Sequence, residues 1–141
     1  MKLTKEQAIQ EHRKMWNWIA DRLENGDAYD IADLKEYYLE GSIYRKEDII
    51  NNCFCCHYAE GNCDNCPLKW GTEDKVTGYF CEDGIDVYNF FNDRFGCIPD
   101  KINSNFNSGL WYIAYELSQD GYYKEAAVTA REIANLPEKE E

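Results

Sequence analysis

No apolar run in this sequence approaches the roughly 20 residues that a membrane-spanning helix needs, so no membrane partner is expected. Basic excess is missing too: 15 Lys and Arg face 27 Asp and Glu, a formal net charge of −12. A surface of that sign repels a nucleic-acid backbone and favours basic partners, so no direct nucleic-acid binding is expected. The chain has no glycine-rich phosphate loop and no nucleophile elbow. It also lacks the His-x-Glu and Pro-Cys-x-x-Cys pattern of the zinc deaminases. Residues 1–7 hold no apolar stretch and no cleavage site, so no signal peptide is expected and the protein should stay where it is made. In a reducing compartment, clustered cysteines are more often metal ligands or catalytic groups than disulfides. The seven cysteines here are also an odd number, which leaves one outside any complete pairing.

What is present suits one domain. A chain of 141 residues with four Trp, eleven Tyr and six Phe can build a single core. Thr4 followed by Gln7 is a capping-box start, and residues 5–24 predict a strong helix. Ile9, His12, Trp16, Ile19 and Leu23 fall three and four residues apart on one stripe, widened by Ala8, Met15 and Ala20, and Asn25-Gly26 is the stop. His12 on that apolar stripe is expected to be a satisfied core histidine. A second helix is expected from an N-cap at Asp27 to Glu40, with Ile31, Leu34 and Tyr38 on one face. Asp30, Asp33, Glu36 and Glu40 gather on another. Taken alone, that carboxylate ridge reads as a solvated face.

Residues 42–52 read as a connector with a short helical turn at 46–50. Residues 72–83 read as irregular or weakly extended, with Val76, Tyr79 and Phe80 as strand positions. Asp83 is the expected cap of a helix over residues 84–95, with Ile85, Tyr88, Phe91 and Phe95 on its apolar side; Gly96 and Pro99 follow. The last third reads as a helical hairpin. Ser108 caps a helix through Gln119 with Leu110, Ile113, Ala114 and Leu117 inward and Trp111 beside them. Asp120-Gly121 turns the chain, and a helix over residues 122–135 buries Ala126, Ala127, Ala130, Ile133 and Ala134. A loose tail is expected over residues 137–141.

The chemistry concentrates in residues 53–71. Cys53 and Cys56 form one C-x-x-C hook, six residues intervene, and Cys63 and Cys66 form a second. Each hook lets two thiolates reach one ion about 2.3 Å away, and two hooks complete the tetrahedron that zinc prefers. Cys55 in place of Cys53 or Cys56, and His57 in place of a thiolate, remain alternatives. The spacer is shorter than in DNA-reading fingers, and no basic recognition helix accompanies it. Four thiolates leave no open position for water, so the zinc is expected to be a single structural ion and the protein not an enzyme. Cys81 and Cys97 read as ordinary buried thiols. The fold class expected is therefore mainly α: a small helical domain with an inserted zinc knuckle, a C-terminal helical hairpin and little or no β. It divides into N-terminal helices over 1–52, the knuckle over 53–71 and C-terminal helices over 84–136.

Three stretches carry a resemblance: EHRKMWNWIAD at 11–21, CDNCPLKWG at 63–71 and REIANLPEKE at 131–140. In them the chain resembles small cysteine-cluster accessory proteins of bacteriophages and prophages of Gram-positive bacteria. The resemblance spans both ends and the centre, but leaves out residues 72–103. It implies that Cys53, Cys56, Cys63 and Cys66 are the ligands, with Cys55 and His57 outside the shell. It places the chain among phage accessory proteins, a class that includes anti-CRISPR proteins; a zinc-containing inhibitor of the type II RNA-guided nuclease is similar in size and character.

Two functions follow as expectations. One is a non-enzymatic inhibitor in the bacterial cytoplasm, whose acidic surface docks on a basic host protein. The RNA-guided nuclease of a type II CRISPR system would be the partner, with nucleic-acid loading blocked. The expected contacts are Asp30, Asp33, Glu36, Glu40, Glu73, Asp74, Glu82, Asp83 and Asp86. The other is a zinc-dependent or thiol-redox enzyme. A phage accessory module that binds some other host protein is a third reading.

Overall fold

The computed structural model describes residues 2–26, 29–44, 49, 53–60, 65–68, 85–100, 102, 107–108 and 110–138. Within them the chain is mainly helical, as its patterning predicts. Helix α1 runs Lys5–Glu24. The Gln7 N–H donates to Thr4 Oγ1 at 3.1 Å and the Thr4 N–H donates to Gln7 Oε1 at 2.9 Å, so the capping box closes in both directions. All eight residues of the predicted stripe are buried.

Helix α2 runs Ile31–Glu40, three residues later than its expected cap would start it. Asp27 lies outside the described residues; the cap is Asp30, whose Oδ1 accepts the Asp33 N–H at 2.9 Å. The next orphan amide, Ile31 N–H, donates to Ser118 Oγ at 3.1 Å. The short helix α3, Phe54–Tyr58, carries the first cysteine hook. Of the turn expected at 46–50 only Ile49 is described, and it is buried.

The third predicted helix is corrected at its start. Asp83 and Gly84 lie outside the described residues, and Ile85–Asp86 form strand β1, so helix α4 is Val87–Phe95. Strand β1 pairs antiparallel with β2, Asn107–Ser108, in the register Ile85 to Ser108 and Asp86 to Asn107. Ser108 is therefore in strand pairing where a helix cap was expected, and α5 is Leu110–Gln119. Backbone pairing satisfies amides that a helix would otherwise leave to caps. Tyr88, expected inward, is 54% exposed; Val87, Phe90 and Phe91 take the buried side. Expected strand positions Val76, Tyr79 and Phe80 lie outside the described residues.

Gly121 turns the chain with φ +84, a conformation an L side chain resists. Helix α6, Tyr123–Ala134, then lays Ala126, Ala127, Ala130, Ile133 and Ala134 into the core. These small side chains let α1 and α6 approach closely, and that pair is the most extensive interface in the fold. As α1 rises from residue 12 to 24 its partners on α6 descend from 134 to 131, so the two cross antiparallel. His12 Nε2–H donates to the Ile133 carbonyl at 2.8 Å and Arg13 Nη1 donates to the Ala134 carbonyl at 2.9 Å. Two of the orphan carbonyls at the end of α6 thus find donors on α1. Arg131 returns from α6 to α1, reaching Asn17 Oδ1 at 3.0 Å, and Asp21 and Glu24 at 2.8 Å each. The expected loose tail begins with a pairing: Glu138 bridges Leu68 antiparallel, which ties the C-terminal segment to the cysteine region. No helix among the described residues is long and apolar enough to cross a membrane.

Candidate functional site

The first hook is positioned by its own aromatic. Phe54 is fully buried and meets Tyr44 at 5.2 Å and Tyr38 at 6.3 Å, both edge-on, while α3 packs on α1. Cys53 is the N-cap of α3, with extended backbone (φ −133, ψ 114), and its Sγ accepts the Cys56 N–H at 3.3 Å. The hydrogen bond with Cys56 is the main reason the Cys53 thiol falls to about 7; burial opposes it and the Lys35 charge assists. A sulfur held this way is predisposed to the thiolate form that metals bind.

Cys55 has the opposite environment. It is fully buried, and its hydrogen bond to Cys66, reinforced by burial, pushes its thiol far above the ordinary range. Cys55 therefore stays protonated and is the donor toward Cys66. Cys66 is itself buried beside Leu68, and it also interacts electrostatically with Cys53. Pairwise interactions thus link Cys53 with Cys56 and Cys66, and Cys55 with Cys66. Cys63, expected as the remaining ligand, lies outside the described residues. Among the described residues no group of three or more His, Cys, Asp or Glu side chains is arranged to hold a metal ion, and the described cysteines are thiols rather than disulfides. His57 is half-buried. Cys97, expected to be buried, is exposed at the end of α4, while Cys81 lies outside the described residues.

One residue at this site escaped the sequence reading. Lys35 is only 6% exposed, with its ammonium 5.8 Å from the Trp16 ring centre and 5.5 Å from that of Trp111. Both distances suit cation–π attraction. Its charge also reaches Cys53. The signal was there in the spacing: Lys35 falls one turn after Ile31, on the buried side of α2.

Of the acidic residues singled out, Asp33 and Glu40 are exposed and Glu36 is half-buried on α2. They act on Tyr37, whose phenol is pushed up by loss of water contact and then by Tyr29, Asp33, Glu40 and Glu36. Tyr29 and Tyr37 meet edge-on at 5.2 Å and are 46% and 44% exposed. Asp30 is occupied as the helix cap. Asp86 is placed in β1, and Glu73, Asp74, Glu82 and Asp83 lie outside the described residues.

No family model matches the chain, and no curated protein and no solved structure matches it.

His12 sits away from the exposed surface, fully buried, with burial the main cause that lowers it to about 4. Its Nε2 must carry the proton because the Ile133 carbonyl can only accept. It serves the α1–α6 contact.

Proposed function

We propose that this chain is a non-enzymatic binding protein: a zinc-pinned helical domain that presents an acidic, tyrosine-bearing face to a basic host protein. The observation that carries the reading is the exposed pair of Tyr29, just before α2, and Tyr37 on α2, with Asp33, Glu36 and Glu40 acting electrostatically on Tyr37. Tyrosine supplies contact area at low entropic cost, and the surrounding carboxylates select positive partners and speed their approach. A solvated helix face needs no exposed aromatic pair.

Cys53, Cys56, Cys63 and Cys66 would hold the zinc. The hydrogen bond at Cys53 and the nearness of Cys66 support that set, and the protonated Cys55 supports its place outside the shell. The bound ion would contribute folding free energy to a small domain. Four thiolates around one zinc carry a charge of about −2, toward which Lys35 offers a buried counter-charge. The resemblance to phage accessory proteins makes the RNA-guided nuclease of a type II CRISPR system the partner to try first, with nucleic-acid loading as the step blocked. The test is stable complex formation with that nuclease and loss of its target DNA binding; no complex at micromolar concentration discards this partner.

A thiol-redox reading draws on the same lowered Cys53. A thiolate ligand needs that lowering equally, so thiol counting separates the two. Protected cluster cysteines with bound zinc favour the structural site, and a rapidly alkylated pair without metal favours redox chemistry.

A further inference from the structure

Tyr37 also borders a groove of about 370 Å³ between α1 and the chain leaving α2. Trp18 and Tyr38, with ring centres 5.7 Å apart, line it together with Tyr44 and Ile43. Ile43 is 85% exposed, an apolar side chain with no burial to explain it. Among the described residues that line it, one carries a carboxylate. The Glu11 side chain is 17% exposed, and its Oε2 accepts the Tyr38 hydroxyl at 3.2 Å. Its cationic neighbour is Lys14, at 3.6 Å and 66% exposed. With its lysine that exposed and the ions 3.6 Å apart, the pair is easily exchanged.

We propose that this groove receives an arginine side chain from a basic partner protein, with the guanidinium stacked against Trp18 and Tyr38 and paired to the Glu11 carboxylate. Lys14 swings into solvent when the arginine enters. Charge complementarity chooses the occupant. Tyr37 also lines the groove, and Asp33, Glu36 and Glu40 act electrostatically on it, so further carboxylates stand near the groove besides Glu11 within it. An anionic or purely apolar occupant would have to bury or approach these carboxylates without compensation. Arginine suits the walls better than lysine because its planar, weakly hydrated cation stacks on aromatic faces and pairs with a carboxylate through two parallel hydrogen bonds. The chain already shows this habit: its own Arg22 guanidinium lies 5.3 Å from the Trp18 ring centre. The groove rests on the reading of a basic protein partner, but its test does not require that partner.

The experiment titrates the full-length protein with two short peptides that differ at one position, arginine against its neutral isostere citrulline. The probe is the indole N–H resonance of Trp18, assigned by its loss in Trp18→Phe. The arginine peptide should shift that resonance saturably, with affinity at least about tenfold higher than citrulline and about tenfold lower in Glu11→Gln. Equal affinity for the two peptides, or no saturable shift at millimolar peptide, overturns the assignment; the comparison on the unmutated protein holds even if Glu11→Gln disturbs folding. A nuclease complex that Glu11→Gln and Trp18→Phe leave at full strength rejects the groove and keeps the partner. Selective arginine binding without a nuclease complex keeps the groove and rejects that partner.

Discussion

Lowering the pH from 6.5 toward 4 should destabilise this protein through His12. The ring is fully buried and its proton affinity is lowered from 6.5 to about 4, chiefly by loss of water, with Arg13 and Lys35 adding repulsion against the help of the Ile133 carbonyl. Above pH 6.5 folded and unfolded chains both hold a neutral ring, and the contribution is fully present. Between 6.5 and about 4 the unfolded chain binds a proton that the folded chain refuses, so stability falls as pH falls. Each pH unit across that window costs about 1.4 kcal/mol, or about 3 kcal/mol in total. Small domains have on the order of 5–15 kcal/mol, so the loss is large. The assay is urea unfolding at pH 7, 6, 5 and 4 for the natural chain and for His12→Gln, which keeps a donor for the Ile133 carbonyl but cannot titrate. Acid release of metal from the cysteines affects both proteins alike and cancels in the difference. The stability gap between them should shift by about 3 kcal/mol toward the variant as pH falls. A gap independent of pH would refute the reasoning.

Two structural predictions accompany it. Ala130→Leu forces a larger side chain into the fully buried α1–α6 contact and should cost about 1–3 kcal/mol or more in chemical unfolding, with no change in metal content. Asp30→Ala removes the α2 cap and should cost about 1 kcal/mol, whereas Asp30→Asn keeps an oxygen for the Asp33 N–H and should stay within a few tenths; equal losses would show that charge rather than capping matters there.

Much of the fold was legible because the strongest signals were local. The Thr4–Gln7 capping box and the eight-residue stripe of α1 are set within twenty residues of sequence, and the alanine face of α6 has the spacing of a helix that packs closely. The errors came where a distant partner decides. Asp83 and Ser108 look like helix caps from sequence, but the β1–β2 pairing joins residues more than twenty positions apart and moves the start of α4 to Val87. The α2 boundary went wrong because Asp27 and Asp30 are equally good caps locally; Ser118, far along the chain, meets the amide next to Asp30. The tail's pairing of Glu138 with Leu68 is non-local in the same way. At the site, the two hooks were visible as spacing. The split between a lowered Cys53 and a protonated Cys55 was not: Cys53 is lowered mainly by its hydrogen bond with Cys56, which depends on the local backbone geometry, and Cys55 is raised by Cys66 and by burial, which spacing does not reveal. The place of Lys35 on the buried side of α2 was legible in its spacing, but what makes its burial tolerable was not: two tryptophans from other helices.

The most direct test is native mass spectrometry of purified protein combined with cysteine alkylation. The account predicts one zinc ion per chain, with Cys53, Cys56, Cys63 and Cys66 protected until a chelator is added and helical signal lost with the metal. A fully helical protein that carries no metal, with those four cysteines alkylated at the rate of exposed Cys97, would contradict it.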